Sequence, residues 1–332
     1  MSRLTISVVV CTRNRSDLLD QLLGSLVKQI TSSTLMWEVV VVDNVSEDDT
    51  RACTLRHQRR GNIDIKYVLE KELGLSRARN TGLAKSMGEI VAFVDDDATV
   101  HEQWLEQILA SYEGEDIVSV GGVVVASELL MSGGTPQKGP GADENGMWKY
   151  RTFDQAGVKR EVESLRGSNM SFRRDLLEGV GGFNVNLGRV DACRLAGDEN
   201  DIFLSLRAQS NAYRFVFNPA AIVYHPSRLS VDDFERKYYC GGISRAIINQ
   251  RLSLPERLGH IVVRTAKFVA LKGLIFWTGV FQNEQSVDVE RYYYLAREKE
   301  GYLKSALLGR RSACKNCPLY VESTESRSGG IS

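Results

Sequence analysis

The chain has no excess of either charge: 42 lysines and arginines face 42 aspartates and glutamates in 332 residues. That balance argues against a dedicated polyanion binder, while a local basic patch stays open. A signal-peptide pattern is also missing, since Met1-Ser-Arg-Leu-Thr runs directly into an apolar, strand-like stretch. Cysteines are few. The six are scattered, which suits reduced cytosolic thiols and not a disulfide framework. Cys314-Lys-Asn-Cys317 has no second pair nearby to complete a zinc site and reads as incidental. A clean membrane span is lacking too. Segment 257–281 is apolar but carries Arg264, Lys267 and Lys272. Such a basic, apolar helix fits either interfacial membrane contact or packing on the main domain with its polar face solvated. What is present, 43% hydrophobic and 25% charged residues, builds an ordinary globular core in one large domain or a domain plus an appendage.

Residues 5–100 alternate short apolar runs with helical patterns. Ile6 to Cys11 reads as a strand. Ser16 is a candidate cap for a helix with Leu18, Leu19, Leu22, Leu23 and Leu26 at helical spacing. Val39 to Val42 is a second strand ending in Asp43-Asn44, and Ile63 to Leu69 a third. A helix over about 75–87 precedes a fourth strand, Glu89 to Val94. This order predicts a doubly wound, mostly parallel α/β sheet flanked by helices. Further on, 102–112 reads as helix, Ile117 to Val125 as strand, Ser171 to Val180 and Asp201 to Gln209 as helices, and Arg214 to Tyr224 as strand. The turn-rich stretch 132–146 is either a mobile lid or an inert loop. Beyond 226 the chain is expected to be helical to about 308, with a disordered Ser- and Gly-rich tail from Glu322.

Asp95-Asp96-Asp97 closes the fourth strand. Three adjacent carboxylates repel one another and are hard to justify as packing, whereas a divalent cation relieves the repulsion. Mg²⁺ and Mn²⁺ prefer carboxylate oxygen and are commonly shared with phosphates. In open α/β sheets, ligands sit beyond the carboxyl ends of the strands. Three other segments reach the same edge: Cys11-Thr12-Arg13-Asn14-Arg15, Asp43-Asn44, and Gly74-Leu-Ser-Arg-Ala-Arg-Asn-Thr-Gly82. Strand-end loops, a helix N-terminus and arginines suit a nucleotide diphosphate. Thr12, Arg13, Asp43, Arg79, Asp95 and Asp96 are therefore the candidate donor-binding residues. Asp43 as a turn residue and Arg77 and Arg79 as surface ion pairs are the structural alternatives.

These motifs, taken in order, resemble glycosyltransferase family 2, with its GT-A fold. The resemblance rests on Val8-Val-Val-Cys-Thr-Arg-Asn, Val41-Val-Asp-Asn, Gly74 to Gly82 and Phe93-Val-Asp-Asp-Asp, followed by Gly167-Ser-Asn-Met-Ser-Phe-Arg-Arg174, Gly181-Gly-Phe-Asn184 and Gly197-Asp-Glu-Asn-Asp-Ile202. It covers roughly residues 4–250. It implies a nucleotide-diphosphate sugar donor, a hydroxyl acceptor on a glycan or lipid-linked glycan, a divalent metal, and inversion at the anomeric carbon. Asp43 takes the family's base-binding position, Asp95 and Asp97 the ends of its D-x-D motif, and His225 a downstream histidine near the diphosphate or metal. The implied metal ligands are thus Asp97, Asp95 and His225. Asn169 and Arg173 fall in the segment that lines the acceptor side. The family's Gly-Glu-Asp reads Gly-Asp-Glu here, so Asp198 and Glu199 compete for the role of catalytic base; alignment on Gly197 and Asp201 favours Glu199. The implied organisation is a transferase domain over 1–250, with a donor half to about 125, a helical extension over 251–310 and a tail over 311–332. A cytoplasmic location, at the inner face of a membrane, and a role in surface polysaccharide assembly follow from the same resemblance.

One positioned carboxylate suffices for inversion, because it takes the acceptor proton as the new bond forms. Two alternatives remain. A sugar-phosphate nucleotidyltransferase also uses clustered aspartates, but Cys11-Thr-Arg-Asn-Arg lacks that class's glycine-rich loop. A non-catalytic nucleotide-sugar-binding module predicts loss of the metal or base carboxylates, and both sets are present.

Overall fold

The computed structural model describes residues 5–61, 63–127, 140–142, 148–150, 158–190, 195–226, 228–229, 231–281 and 287–308. Most of the 132–146 loop, the Cys314/Cys317 pair and the tail from Glu322 lie outside the described residues.

Among the described residues up to 100 the predicted strands and helices form, and the structure adds a helix over Thr50–Arg60 that the pattern did not give. Strands β1 (Ile6–Thr12), β2 (Trp37–Asp43), β3 (Asp64–Leu69) and β4 (Ile90–Asp95) alternate with helices α1 (Ser16–Leu26), α2 (Thr50–Arg60) and α3 (Leu75–Lys85). There follow β5 (Thr99–Val100), α4 (Trp104–Leu109), β6 (Ile117–Ala126), β7 (Pro140–Ala142), β8 (Trp148–Tyr150), β9 (Arg160–Glu161), β10 (Asn169–Arg173), α5 (Arg174–Gly179), α6 (Asp198–Gln209), β11 (Arg214–His225) and β12 (Arg228–Leu229). A nine-stranded sheet runs β3-β2-β1-β4-β10-β6-β11-β5, with β9 beside β11. Strands β1 to β4 are mutually parallel, and β11 is parallel to β6. Strand β10 runs against both β4 and β6.

The apolar runs are continuous because both sheet faces are covered. Val8, Val10, Val39, Val41, Ala92 and Val94 face one core with Leu19, Leu22, Leu23 and Leu26 of α1 and Trp104 of α4. Val9, Val40, Val42, Val91 and Phe93 face a second core with Ala78 and Leu83 of α3 and Ile202, Phe203 and Leu206 of α6. Helix α3 lies unusually close to the sheet: a Cβ on Gly82 would sit 2.3 Å from Val9 Cγ1.

Two local expectations are corrected. Ser16 does not cap α1 with its side chain; the Asp48 carboxylate, 32 residues on, accepts from the Ser16 amide at 2.8 Å. The stretch expected to be helical from Ser171 begins instead as β10, and helix starts only at Arg174. Pairing with β4 and β6, a non-local gain, overrides local propensity there.

The chain divides into two compact units. The first comprises Met1–Pro140, Lys149–Val185 and Asp198–Arg228; the second comprises Gly141–Trp148, Asn186–Gly197 and Leu229–Ser332. The second contains α7 (Val231–Ile248), α8 (Leu254–Phe281) and α9 (Val287–Leu308). Leu187, Leu195, Cys240, Ile243, Ile247 and Ile248 form its apolar cluster. Glu298 of α9 collects Arg245, Arg264 and Lys299 at 2.5, 3.5 and 3.1 Å. No helix among the described residues is long and apolar enough to cross a membrane.

Candidate active site

The first unit's chemistry lies where the sheet order reverses. The chain builds β1, β2 and β3 outward in one direction and then returns to place β4 on the other side of β1. At such a switch point the connections after adjacent strands diverge and leave a crevice at the carboxyl ends. Register aligns those ends: Thr12 pairs with Asp43, and Cys11 with Asp95.

Asp43 is buried and accepts from Tyr67 Oη at 2.7 Å and from the Ser46 amide at 2.8 Å. Each oxygen thus takes one bond, which leaves lone pairs for a further donor. Burial, then the bond to Asp43, pushes the Tyr67 hydroxyl up to about 12, so it stays a donor. Beside Asp43, the Asn44 amide donates to the carbonyls of Glu70 and Glu72 at 3.2 and 2.8 Å, while its oxygen takes the Gly74 amide at 2.8 Å. Asn44 thereby fixes the turn into α3. Gly74 holds φ 140°, a backbone conformation that strains any side chain.

The triplet carries its own counter-charges. Arg15 Nη1 bridges Asp96 Oδ1 and Asp97 Oδ2, both at 2.9 Å. Burial raises Asp96 to about 6 despite that arginine. His225 Nε2 lies 3.1 Å from Asp97 and 3.6 Å from Asp95. It gets there because β11 pairs with β5, Tyr224 opposite Thr99, just past the triplet. Burial acts to lower His225, but Asp95 and Asp97 win and raise it to about 10. Burial conversely acts to raise Asp97, yet the His225 contact holds it below the usual carboxylate range.

Arg79 joins the triplet to the acid pair. It is buried, 2.5 Å from Asp198, 3.6 Å from Asp95 and 3.2 Å from the Gly167 carbonyl, with its guanidinium 5.4 Å from the Phe183 ring. Burial opposes its charge, but Asp198 and Asp95 raise its pKa and keep it a cation. It serves as a brace between two acidic elements, not as an exposed donor ligand. Asp198 opens α6 and is buried with Arg79 as its partner. Glu199, next to it, keeps some surface exposure but is densely surrounded by protein. Burial, and then the neighbouring Asp198 charge, push it up to about 7.

The sequence-nominated residues thus divide. Thr12, Asp43, Asp95, Asp96, Asp97, Arg79, Asp198, Glu199 and His225 belong to this strand-end edge and its brace, with Arg13 half-buried in the loop after β1. Asn169 and Arg173 do not open onto an acceptor surface. Asn169 is fully buried, donating to the Val123 and Ala221 carbonyls at 3.1 and 2.9 Å and accepting from the Trp104 indole at 3.0 Å. Arg173 pairs with Ile90, at the start of β4 and the opposite end from Asp95, and donates to the Ile117 and Gly114 carbonyls. Arg77 forms a surface pair with Glu72. Sequence reading gave no individual role to Arg15, Asn44 or Tyr67, although Arg15 and Asn44 stand inside the strand-end segments Cys11-Thr-Arg-Asn-Arg15 and Asp43-Asn44.

Asp95, Asp97 and His225 each offer a ligand atom, all within 4.8 Å of one another. Two carboxylate oxygens and, once a cation displaces its proton, the His225 imidazole suit a divalent metal such as Mn²⁺. Asp97 Oδ1 is buried, and the partner it meets, His225 Nε2 at 3.1 Å, is itself a member of the trio. A second trio, Asp20, Cys53 and His57, ties α1 to α2, with His57 Nε2 2.9 Å from Asp20.

The model of the family described as glycosyl transferase family 2 matches residues 7–181, more than half the chain. The chain belongs to glycosyltransferase family 2. A Haloferax volcanii protein named glucosyl-dolichyl phosphate glucuronosyltransferase is 30% identical over 232 residues, 66% of this chain and 68% of the relative. The succinoglycan biosynthesis protein ExoM of Rhizobium meliloti is 28% identical over 228 residues, 67% of each chain. Among solved structures, a Pyrobaculum calidifontis mannosyltransferase in complex with GDP-Man and Mn²⁺ matches with a TM-score of 0.59 at 19% identity, over 92% of this chain and 87% of that one. The last likeness establishes the GT-A fold. This family member is a glycosyltransferase, with relatives in glycan and polysaccharide biosynthesis.

Proposed function

We propose that this transferase moves a sugar from a nucleoside-diphosphate donor to a hydroxyl of a glycan or lipid-linked acceptor, with inversion at the anomeric carbon. The observation that carries this reading is the trio Asp95, Asp97 and His225, joined through Arg79 to the acid pair that opens α6. Asp95, Asp97 and His225 would hold a divalent cation, which neutralises charge growing on the leaving diphosphate. Asp43 accepts a hydrogen bond from the nucleobase, and Thr12, Arg13 and Asp96 complete the donor side. Glu199 is the base: it takes the acceptor's hydroxyl proton as the new oxygen–carbon bond forms and the bond to the diphosphate breaks. The diphosphate leaves with the electron pair. Asp198 cannot move freely into that role while Arg79 holds it at 2.5 Å. A carboxylate held at about 7 is matched to accepting a proton near neutral pH.

We assign the donor half to about residues 1–125, the acceptor half to about 126–250 and a helical extension to 251–310. The proposed setting is the cytoplasm, at the inner face of a membrane, where lipid-linked acceptors are met; the relative named for dolichyl phosphate supports that setting.

A panel of nucleoside-diphosphate sugars with Mg²⁺ or Mn²⁺ tests the reading. The expected results are metal-dependent thermal stabilisation by one donor, because ligand binding favours the folded state, and transfer that releases nucleoside diphosphate with an inverted product anomer by NMR. Release of pyrophosphate instead would mean nucleotidyl transfer. Donor-dependent stabilisation with no turnover on any acceptor would mean a binding module. Asp97→Asn should abolish metal-dependent donor stabilisation; undiminished metal-dependent turnover in that variant refutes the ligand set.

A further inference from the structure

Helix α8 presents an apolar face to solvent. Its inner edge is Arg257, Ile261, Arg264, Phe268 and Leu271, each half-buried, at the spacing of one helical stripe. Arg264 is spent on that edge, 3.5 Å from Glu298 and 4.3 Å above the Tyr302 ring of α9. At 3.6 residues per turn the opposite face carries Leu258, Val262, Ala266 and Val269, flanked by Val263 and Ala270. These side chains are exposed, Leu258 at 52%, Val262 at 66%, Val263 at 51% and Val269 at 64%. A water-facing stripe of this length on a helix is costly unless something covers it.

The edges of the stripe indicate what covers it. His260 and Lys267 line one edge and Lys272 the other, all exposed. Beyond Glu256, in its first turn, α8 has no acidic residue. The whole chain has balanced charge, so this positive strip is local. We propose that α8 lies flat on an anionic lipid surface, with Leu258, Val262 and Val269 in the headgroup–acyl boundary and Lys267 and Lys272 on lipid phosphates. Exposed apolar area together with basic flanks is what interfacial helices use. A second copy of this chain fits less well, because packing two such stripes together sets basic edge against basic edge. This inference concerns the second unit and does not depend on the transfer chemistry.

The test is co-sedimentation of the full chain with phosphatidylcholine vesicles, with and without phosphatidylglycerol. The protein should pellet with the anionic vesicles and be released by salt, which screens the lysine–phosphate attraction. Lys267→Gln with Lys272→Gln should weaken partitioning by about tenfold or more. Val262→Asp with Val269→Asp should abolish it while leaving the thermal melt unchanged, since both side chains are exposed. Soluble-donor turnover should survive in both double variants, which separates failure here from failure of the proposed activity. The proposal is overturned if wild-type protein stays in the supernatant with anionic vesicles, or if the Val262→Asp, Val269→Asp variant pellets like wild type. It is equally overturned if sedimentation velocity shows a dimer that these aspartates dissolve while vesicle binding is absent.

Discussion

The two sides of the proposed active site are built differently. On the proposed donor side, Thr12, Asp43 and Asp95 end three neighbouring parallel strands, and strand register alone aligns them. On the opposite side, Asp198 and His225 arrive from more than a hundred residues further along. His225 rides on β11, paired with β5 and β6, and its ring meets Asp97 and Asp95, whereas Asp198 opens a helix and is met by Arg79. Backbone ladders position the first side redundantly. The acid pair of α6 is in no ladder and depends on the buried Arg79 charge, so it is the part that one substitution can dismantle.

The largest expected effect is therefore at Arg79. Arg79→Ala leaves Asp198 buried without its partner and Asp95 short of one, a loss of about 3–5 kcal/mol of stability by the usual cost of breaking a buried pair. Urea denaturation measures it, and turnover should vanish even where the protein is folded. A loss as small as that of a surface pair would mean that the two sides are not braced through this residue. Glu199→Gln comes next. It should lower kcat by about 10²–10⁴, the usual contribution of a positioned base, with donor affinity intact by calorimetry. Asp198→Asn should instead cost stability first. If Asp198→Asn is the dead enzyme and Glu199→Gln transfers normally, the two roles are exchanged.

The same carboxylate sets a pH dependence. Glu199 must be deprotonated to accept a proton, and burial with the Asp198 charge holds its pKa up to about 7. In single-turnover measurements the rate should climb about tenfold per pH unit below that value and level off above it. A rate flat from pH 5 to 8 would exclude Glu199 as the base.

Effects on the ladder-built side should be smaller and confined to binding. Asp43→Ala should weaken donor affinity by about 1–3 kcal/mol, the range for a hydrogen bond to a charged group, without moving kcat at saturation. Arg15→Gln is the mildest. Arg15 is 42% exposed, so screening limits its effect on cation binding to at most about 1 kcal/mol. The sign is the informative part: removing a cation that already bridges Asp96 and Asp97 should tighten Mn²⁺ binding in the absence of donor, read from free Mn²⁺ by electron paramagnetic resonance. Weaker binding would make Arg15 an organiser of the carboxylates and not their competitor.

The sequence by itself determined the layered sheet and which strand ends share its carboxyl edge. Continuous valine runs require burial on both faces, β-α alternation requires parallel strands, and carboxylates at strand ends mark a ligand crevice, so periodicity and order were enough. Asp43 and the Asp95–Asp97 triplet were legible at that edge for this reason, and the family was legible from the resemblance of its ordered motifs. Only the tertiary structure decided which residues cross from one element to another. Asn169 matched the acceptor-side segment but is consumed in hydrogen bonds to Val123, Ala221 and Trp104, and Arg173 points its guanidinium at carbonyls at the far end of the sheet. Arg79 read as a donor ligand and is a buried brace; Arg15 drew no assignment and bridges two of the three aspartates. A charge's role depends on which opposite charge lies within a few ångströms and how much water remains between them. Chain spacing does not encode that distance for partners 119 residues apart, such as Arg79 and Asp198.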